Sequence, residues 1–288
     1  GSLRYNSFDY QKDIGNIIGC YNDKFEKINI ENNNGENNFF ILGTPRSGTT
    51  LIESMIASNK EVTSGGELLS ARNLIADFVN NINGEDTQSF AKNFKKTYIR
   101  RTDFLRGEHD RIVDKLPDNF LYIGYLIKLL PKTKIIRTFR DPWDVAISMF
   151  KQRYVTNIPY SASFFNIGVF MANFEAMNIF WNQVIEDKNQ ILDVKYEDLV
   201  EKPEVYQKRI YEFLEIKSDY SEVKRKNFFS HTASIRQIGS EIHKKSVKKE
   251  EFLSFKDEFV DSLQMQRKYW EKRGLLSEDG DFFGYELI

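Results

Sequence analysis

Short apolar runs alternate with longer amphipathic stretches along most of this chain. "FFILG" (39–43), "RIVDK" (111–115), "KIIRTF" (134–139) and the start of "ILDVKYEDLV" (191–200) have the length and residue types of buried strands, the last leading into a loop. Between them the apolar spacing is helical. Phe8, Tyr10, Ile14, Ile17, Ile18 and Tyr21 share one face of a short N-terminal helix. "SGTTLIESMIAS" reads as the helix after the first strand, and "VTSGGELLSARNLIADFVNNI" as a turn followed by a helix. Residues 88–106 form a basic helix, and "NFLYIGYLIKLLP" a helix stopped by Pro131. In "DPWDVAISMFKQR" Asp141 stands as N-cap and Pro142 at the first helical position. "SFFNIGVFMANFEAMNIFWNQVI", "KPEVYQKRIYEFLEI" and "FVDSLQMQRKYWEKRG" complete the helices, and 221–251 read as irregular and basic.

Strands separated by helices predict a three-layer α/β domain with a mainly parallel central sheet. The Asn-rich "NIENNNGENN" divides an N-terminal helical arm and linker, 1–37, from a domain over 38–288. Ligands of such sheets bind beyond the carboxyl ends of the strands. The loop 43–50, Lys115 and Arg140 all fall at those ends.

Composition removes several classes. Lys and Arg number 41 against 42 Asp and Glu, so no global field draws the chain to nucleic acid, and an anion site has to be a local cluster. The single cysteine, Cys20, excludes an internal disulfide and fits a reducing, cytoplasmic setting. Three histidines, His109, His231 and His243, lack metal-ligand spacing. No apolar stretch has the length of a membrane span and no signal peptide is visible. The initial Gly1–Ser2 reads as a cloning remnant and the chain as a piece of a longer protein.

The densest chemistry is "GTPRSGTT" (43–50), which nearly repeats the phosphate loop of nucleotide triphosphatases. Gly43, Gly48 and Thr50 are in place, Thr49 stands where the lysine belongs, and Arg46 enters the loop. Backbone N–H groups of such a turn, with a helix N-terminus behind them, hold an anion. Ser47, Thr49 and Thr50 add hydroxyls. The missing lysine points to a group less charged than a triphosphate. At the third strand, Arg140 and Ser148 offer a guanidinium and a hydroxyl to a second phosphate. The competing reading pairs Arg140 with Asp141 or Asp144 and turns Ser148 to the core.

"TPRSGTT" and "RTFRDPWDVAIS", together with "SGGEL", "DKLPDNFLYIG", "VKYEDLV" and "HTASIRQI", resemble the sulfotransferases that use 3′-phosphoadenosine 5′-phosphosulfate (PAPS). The likeness is to the bacterial branch found behind tetratricopeptide repeats, related to protein-tyrosine sulfotransferases, and runs from about residue 38 to 270. It implies a sulfotransferase domain over 38–288 and metal-independent transfer of a sulfuryl group to a hydroxyl, releasing adenosine 3′,5′-bisphosphate. It places the 5′-phosphosulfate on Pro45, Arg46, Ser47, Gly48, Thr49 and Thr50, and the 3′-phosphate on Arg140 and Ser148. Glu67 becomes the base, with Lys115 and Arg46 stabilising the transferring group. Tyr196, Thr232 and Ser234 become donor contacts, and Lys245 and Ser246 part of a lid. The lid stretch departs from the branch, having "IGSEIH" where an apolar and tyrosine pattern belongs.

Each assignment has a plain structural rival: Glu67 as a helix cap, Lys115 as a solvated strand end, Thr232 and Ser234 as loop polars, Tyr196 as a core ring, 241–251 as a solvated charged face. His109, a rival base, sits in "RGEHDR" and reads as a surface loop. The acceptor is left open among a tyrosine, a sugar and a small alcohol, with neither nucleic acid nor membrane as partner and a homodimer allowed for. The basic helix around "KNFKKTYIRR" faces either an acidic acceptor or solvent. Two other functions compete. One is a small-molecule kinase of the phosphate-loop type, which the absent lysine and absent magnesium-binding carboxylate disfavour. The other is a non-catalytic module that binds PAPS or its product, which Glu67 and Lys115 disfavour.

Overall fold

The computed structural model describes residues 7–26, 28, 37–81, 86–152, 159–217, 249–277 and 282–285. Five parallel strands form the centre: β1 (Asn38–Gly43), β2 (Val62–Ser64), β3 (Arg111–Lys115), β4 (Lys134–Phe139) and β5 (Ile191–Lys195). Their order across the sheet is β2-β3-β1-β4-β5. β1 is buried at every position, as a central parallel strand covered on both faces must be. β5, at an edge, alternates buried with more open positions.

Side chains of successive strand residues go to opposite faces, and that alternation sorts two cores. Phe39 and Ile41 of β1 join Val113, Ile136 and Val194 under α2 (Thr49–Ala57), α8 (Tyr196–Glu201) and α9 (Pro203–Leu214). Phe40 and Leu42 face the larger core, built with α1 (Ser7–Cys20), α3 (Leu69–Asn80), α4 (Thr87–Arg106), α5 (Ile123–Leu129), α6 (Pro142–Gln152), α7 (Phe164–Val184) and α10 (Lys256–Glu271). The expected three-layer architecture is what forms. Ile14 and Ile17 of α1 are buried in this same core.

Asp86 caps α4 through the Ser89 amide, Ser163 caps α7 through the Asn166 amide, and Asp141 accepts from the Asp144 amide at 2.8 Å as expected for α6. α7 and α10 cross closely at Gly168, where a Cβ would stand 2.0 Å from Ser262 Oγ. Three local readings change. "VTS" is a short edge strand, β2, rather than a turn, because it adds to β3 through Val62, Thr63 and Ser64. "YEDLV" is the helix α8 rather than a loop. Residues 117–122 form a 3₁₀ segment before α5. No helix among the described residues is long and apolar enough to cross a membrane.

Asp114 is a fully buried carboxyl on the larger-core face of β3. It pairs in register with Phe40, so it faces α4, where Tyr98 OH donates to its Oδ2 at 3.0 Å. Burial pushes its carboxyl up to about 8, with the Tyr98 hydrogen bond pulling the other way. The folded chain therefore keeps a proton that the unfolded chain releases near pH 4, and stability falls as pH rises from about 4 to 8. Asp114→Asn, which still accepts from Tyr98, is expected to remove most of that decline, on the order of 4 kcal/mol between pH 5 and 8. Thermal melts from pH 5 to 9 check this; an unchanged slope would show that Asp114 is not the titrating group.

Candidate active site

Where β1 ends, the chain turns through 44–48 into α2, which leads toward the β2 edge, whereas α6 after β4 leads toward β5. The crevice between the ends of β1 and β4 is thus the point where the connections diverge, the usual ligand position in an open parallel sheet. Gly43 and Thr138 are partners across it. Ser47 Oγ donates to Thr44 O at 2.6 Å and shares a 2.5 Å hydrogen bond with Thr138 Oγ1, tying the loop to β4. Arg46 (φ +72°) and Gly48 (φ +98°) are left-handed, which curls the loop over the start of α2. Thr49 and Thr50 open that helix and are buried; Pro45 lies in the bend.

The loop and the β4 end share one basic cluster. Arg46 Nε donates to Ser148 Oγ at 2.9 Å, and Arg140 Nη1 donates to the Arg46 carbonyl at 3.1 Å. Burial holds the Arg46 guanidinium below its ordinary range, and the neighbouring Arg140 charge pushes the same way. Arg140 lies 4.4 Å from the centre of the Tyr196 ring, which itself packs over Gly48 so closely that a Cβ there would stand 2.6 Å from Tyr196 Cδ2. Arg140 Nε is buried without a hydrogen-bond partner among the described residues, and Nη2 of the same guanidinium lies 3.8 Å from Asp144 Oδ2. Asp144 is taken up by Lys249 at 2.6 Å. Pro45, Arg46, Ser47, Gly48, Thr49, Thr50, Arg140, Ser148 and Tyr196 therefore converge. Ser148 is buried, yet bound to Arg46 rather than spent on the core.

A second cluster lies at the end of β3. Lys115 pairs in register with Ile41, so its side chain points to the α2 face. Its ammonium is 1% exposed and donates to Glu67 Oε1 at 2.6 Å. Glu67, on the turn before α3, is half exposed. The Lys115 amide donates to Gly66 O at 2.9 Å and fixes that turn to β3. Behind the pair stands Glu53 of α2, 3.8 Å from Lys115 Nζ and hydrogen-bonded by Ser64 Oγ at 2.5 Å. Sequence reasoning missed Glu53, Ser64 and Thr138. Glu53 had a signal, being the one charged residue of an otherwise uncharged, buried helix; the other two had none.

Thr232, Ser234, Lys245 and Ser246 lie outside the described residues. His109 is on the surface, its Nδ1 2.8 Å from Lys60 O, as the loop reading expected.

A parallel α/β domain with a basic phosphate-type loop at its switch point and an acid–lysine pair beside it defines a group-transfer or anion-binding protein. Residues 38–221 match the sulfotransferase family, and the chain belongs to it. A protein of Aquifex aeolicus (strain VF5), described as uncharacterized, is 32% identical over 231 residues, 73% of this chain and 30% of that one. A putative protein-tyrosine sulfotransferase of Caenorhabditis briggsae is 28% identical over 199 residues, 64% of this chain and 67% of that one. Protein-tyrosine sulfotransferase 1 of Danio rerio is 27% identical over 188 residues, 62% and 52% of the two chains. The chain thus spans less than a third of the Aquifex protein and about half of the Danio one.

Proposed function

We propose that the chain transfers a sulfuryl group from PAPS to a hydroxyl acceptor, releasing adenosine 3′,5′-bisphosphate, without a metal and in a cytoplasmic setting. The observation that carries this is the pair of guanidiniums at the β1–β4 crevice, Arg46 bonded to Ser148 and Arg140 to the Arg46 carbonyl. Like charges side by side, with a buried Arg140 N–H left over, fit a ligand that brings negative charge at more than one point. The close-approach glycines and the N-terminus of α2 fit its 5′-phosphosulfate end.

In this reading Glu67 takes the proton of the acceptor hydroxyl as its oxygen attacks sulfur in line. The bond from sulfur to the bridging oxygen breaks, and the electron pair leaves with the bisphosphate. Lys115 and Arg46 stabilise charge on the transferring group and on that oxygen. Tyr196 lies against the nucleotide, and Thr232, Ser234, Lys245 and Ser246 complete the donor contacts. The acceptor hydroxyl belongs to a tyrosine, a sugar or a small alcohol.

Calorimetric titration with adenosine 3′,5′-bisphosphate, beside ATP with Mg²⁺, tests the donor. Micromolar or tighter metal-independent binding of the bisphosphate, about −8 kcal/mol, with ATP much weaker, is the expected result. Binding of ATP only with Mg²⁺, and none of the bisphosphate, would replace this reading with a kinase.

A further inference from the structure

Lys115 is a buried ammonium held between two carboxylates of unequal exposure: Glu53, 3% exposed in its side chain, and Glu67, 53% exposed. Glu53 is itself fixed, because Ser64 Oγ donates to its Oε1 at 2.5 Å from the end of β2. Burial pushes the Glu53 carboxyl above its ordinary range, whereas the Ser64 hydrogen bond and the Lys115 charge draw it back.

The two carboxylates differ in what turnover does to them. On the sulfuryl-transfer reading, on which this inference rests, Glu67 becomes neutral when it accepts the hydroxyl proton. A buried ammonium left at that moment without a counter-ion carries a large desolvation cost. Glu53 is out of solvent and fixed by Ser64, and so is not the carboxylate an acceptor meets. We propose that Glu53 is a positioning residue, the permanent counter-ion that holds Lys115 charged and in place while Glu67 gains and loses its proton. Ser64 orients it. The arrangement separates two tasks that a single carboxylate does poorly: neutralising the lysine and serving as the base.

Glu53→Gln tests this, since glutamine keeps the shape and an oxygen for Ser64 but loses the charge. Turnover of radiolabelled PAPS against a tyrosine peptide, a sugar and a small alcohol is expected to fall about tenfold or more, a coupling of the size that contacting charges show. Bisphosphate affinity should stay within about threefold of the parent. In a Lys115→Met background the same substitution should change turnover by less than about twofold, because its effect runs through the lysine. Glu61→Gln, which removes a carboxylate paired with Arg111 on the same sheet edge, is the control and should match the parent. Parent-like turnover in Glu53→Gln, or an equal loss with and without Lys115, overturns the proposal. Ser64→Ala, at an exposed strand end, loosens Glu53 without removing its charge and should lower turnover by a smaller factor, a second variant if Glu53→Gln does not fold. A readout independent of turnover is the Lys115 side-chain resonance in ¹⁵N-lysine-labelled chain. Glu53→Gln or Ser64→Ala should shift or erase it and Glu61→Gln should not; an unmoved resonance rejects the role of Glu53. A parent chain that fails to bind the bisphosphate defeats the donor reading instead, and the resonance still decides on Glu53.

Discussion

Glu67→Gln is expected to cut sulfuryl transfer by roughly 10²–10⁴-fold, the usual loss when a general base is removed. The fold should hardly notice. Glu67 is half exposed, and its bond to Lys115 is backed by Glu53, so the lysine keeps a carboxylate partner. Glutamine keeps an oxygen for the buried Lys115 ammonium, so what is lost with the half-exposed carboxylate is about 1 kcal/mol. Affinity for adenosine 3′,5′-bisphosphate should also persist, because the groups that gather for the donor, Arg46, Arg140 and Ser148, form a separate cluster from Glu67. The useful quantity is therefore a split: turnover lost, product binding kept, melting temperature nearly unchanged. Turnover within about threefold of the parent would remove Glu67 from the role of base. Loss of binding and turnover together would instead make Glu67 part of the donor pocket.

The convergence of the loop with the β4 end was legible in the sequence where its signals are local. Gly43, Arg46, Gly48 and Thr50 lie within eight residues, and their spacing states the geometry they need: two close approaches, one cation, one helix start. β4 and α6 were legible for similarly local reasons, an apolar run followed by Asp141 and Pro142, both of which do what their positions imply. Two kinds of feature were not. β2 is three residues long and is a strand only because β3 lies beside it, so nothing in "VTS" itself distinguishes strand from turn. Glu53 and Ser64 meet across eleven positions of chain and reach Lys115 another half-hundred residues on; spacing along the sequence carries no trace of that meeting. The bond from Arg46 to Ser148 is of the same kind. The two were assigned to opposite ends of the donor, and the fold places them 2.9 Å apart.

The largest expected effect on stability is at Gly43. Gly43→Ala would put a methyl 2.2 Å from Thr138 Oγ1, 2.7 Å from the Thr138 carbonyl and 2.9 Å from Ser47 Oγ. Its φ of +154° is also a region that residues with a side chain rarely adopt. The Thr138 hydroxyl cannot simply rotate away without giving up its hydrogen bond to Ser47, the contact that ties the loop to β4. The carbonyl belongs to the backbone of β4, a strand paired on both sides, and moves only if the ladder does. The expected cost is about 3 kcal/mol, at the upper end for overpacking, read as a melting temperature lower by roughly 6–12 °C. Gly48→Ala makes the contrast. The three atoms nearest its new methyl all belong to the Tyr196 ring, a side chain that can shift without moving a strand, so the main cost is the strained φ, about 1 kcal/mol. But that shift takes Tyr196 away from Arg140, and Gly48→Ala should weaken bisphosphate binding more than it weakens the fold. Denaturant titration separates the two, and Thr138→Ala added to Gly43→Ala sharpens the assignment. It removes the hydroxyl clash but not the carbonyl clash, so it should restore part of the stability and no more. Full restoration would place the whole cost in the side chain, and a Gly43→Ala chain within about 0.5 kcal/mol of the parent would mean that β1 and β4 do not approach this closely.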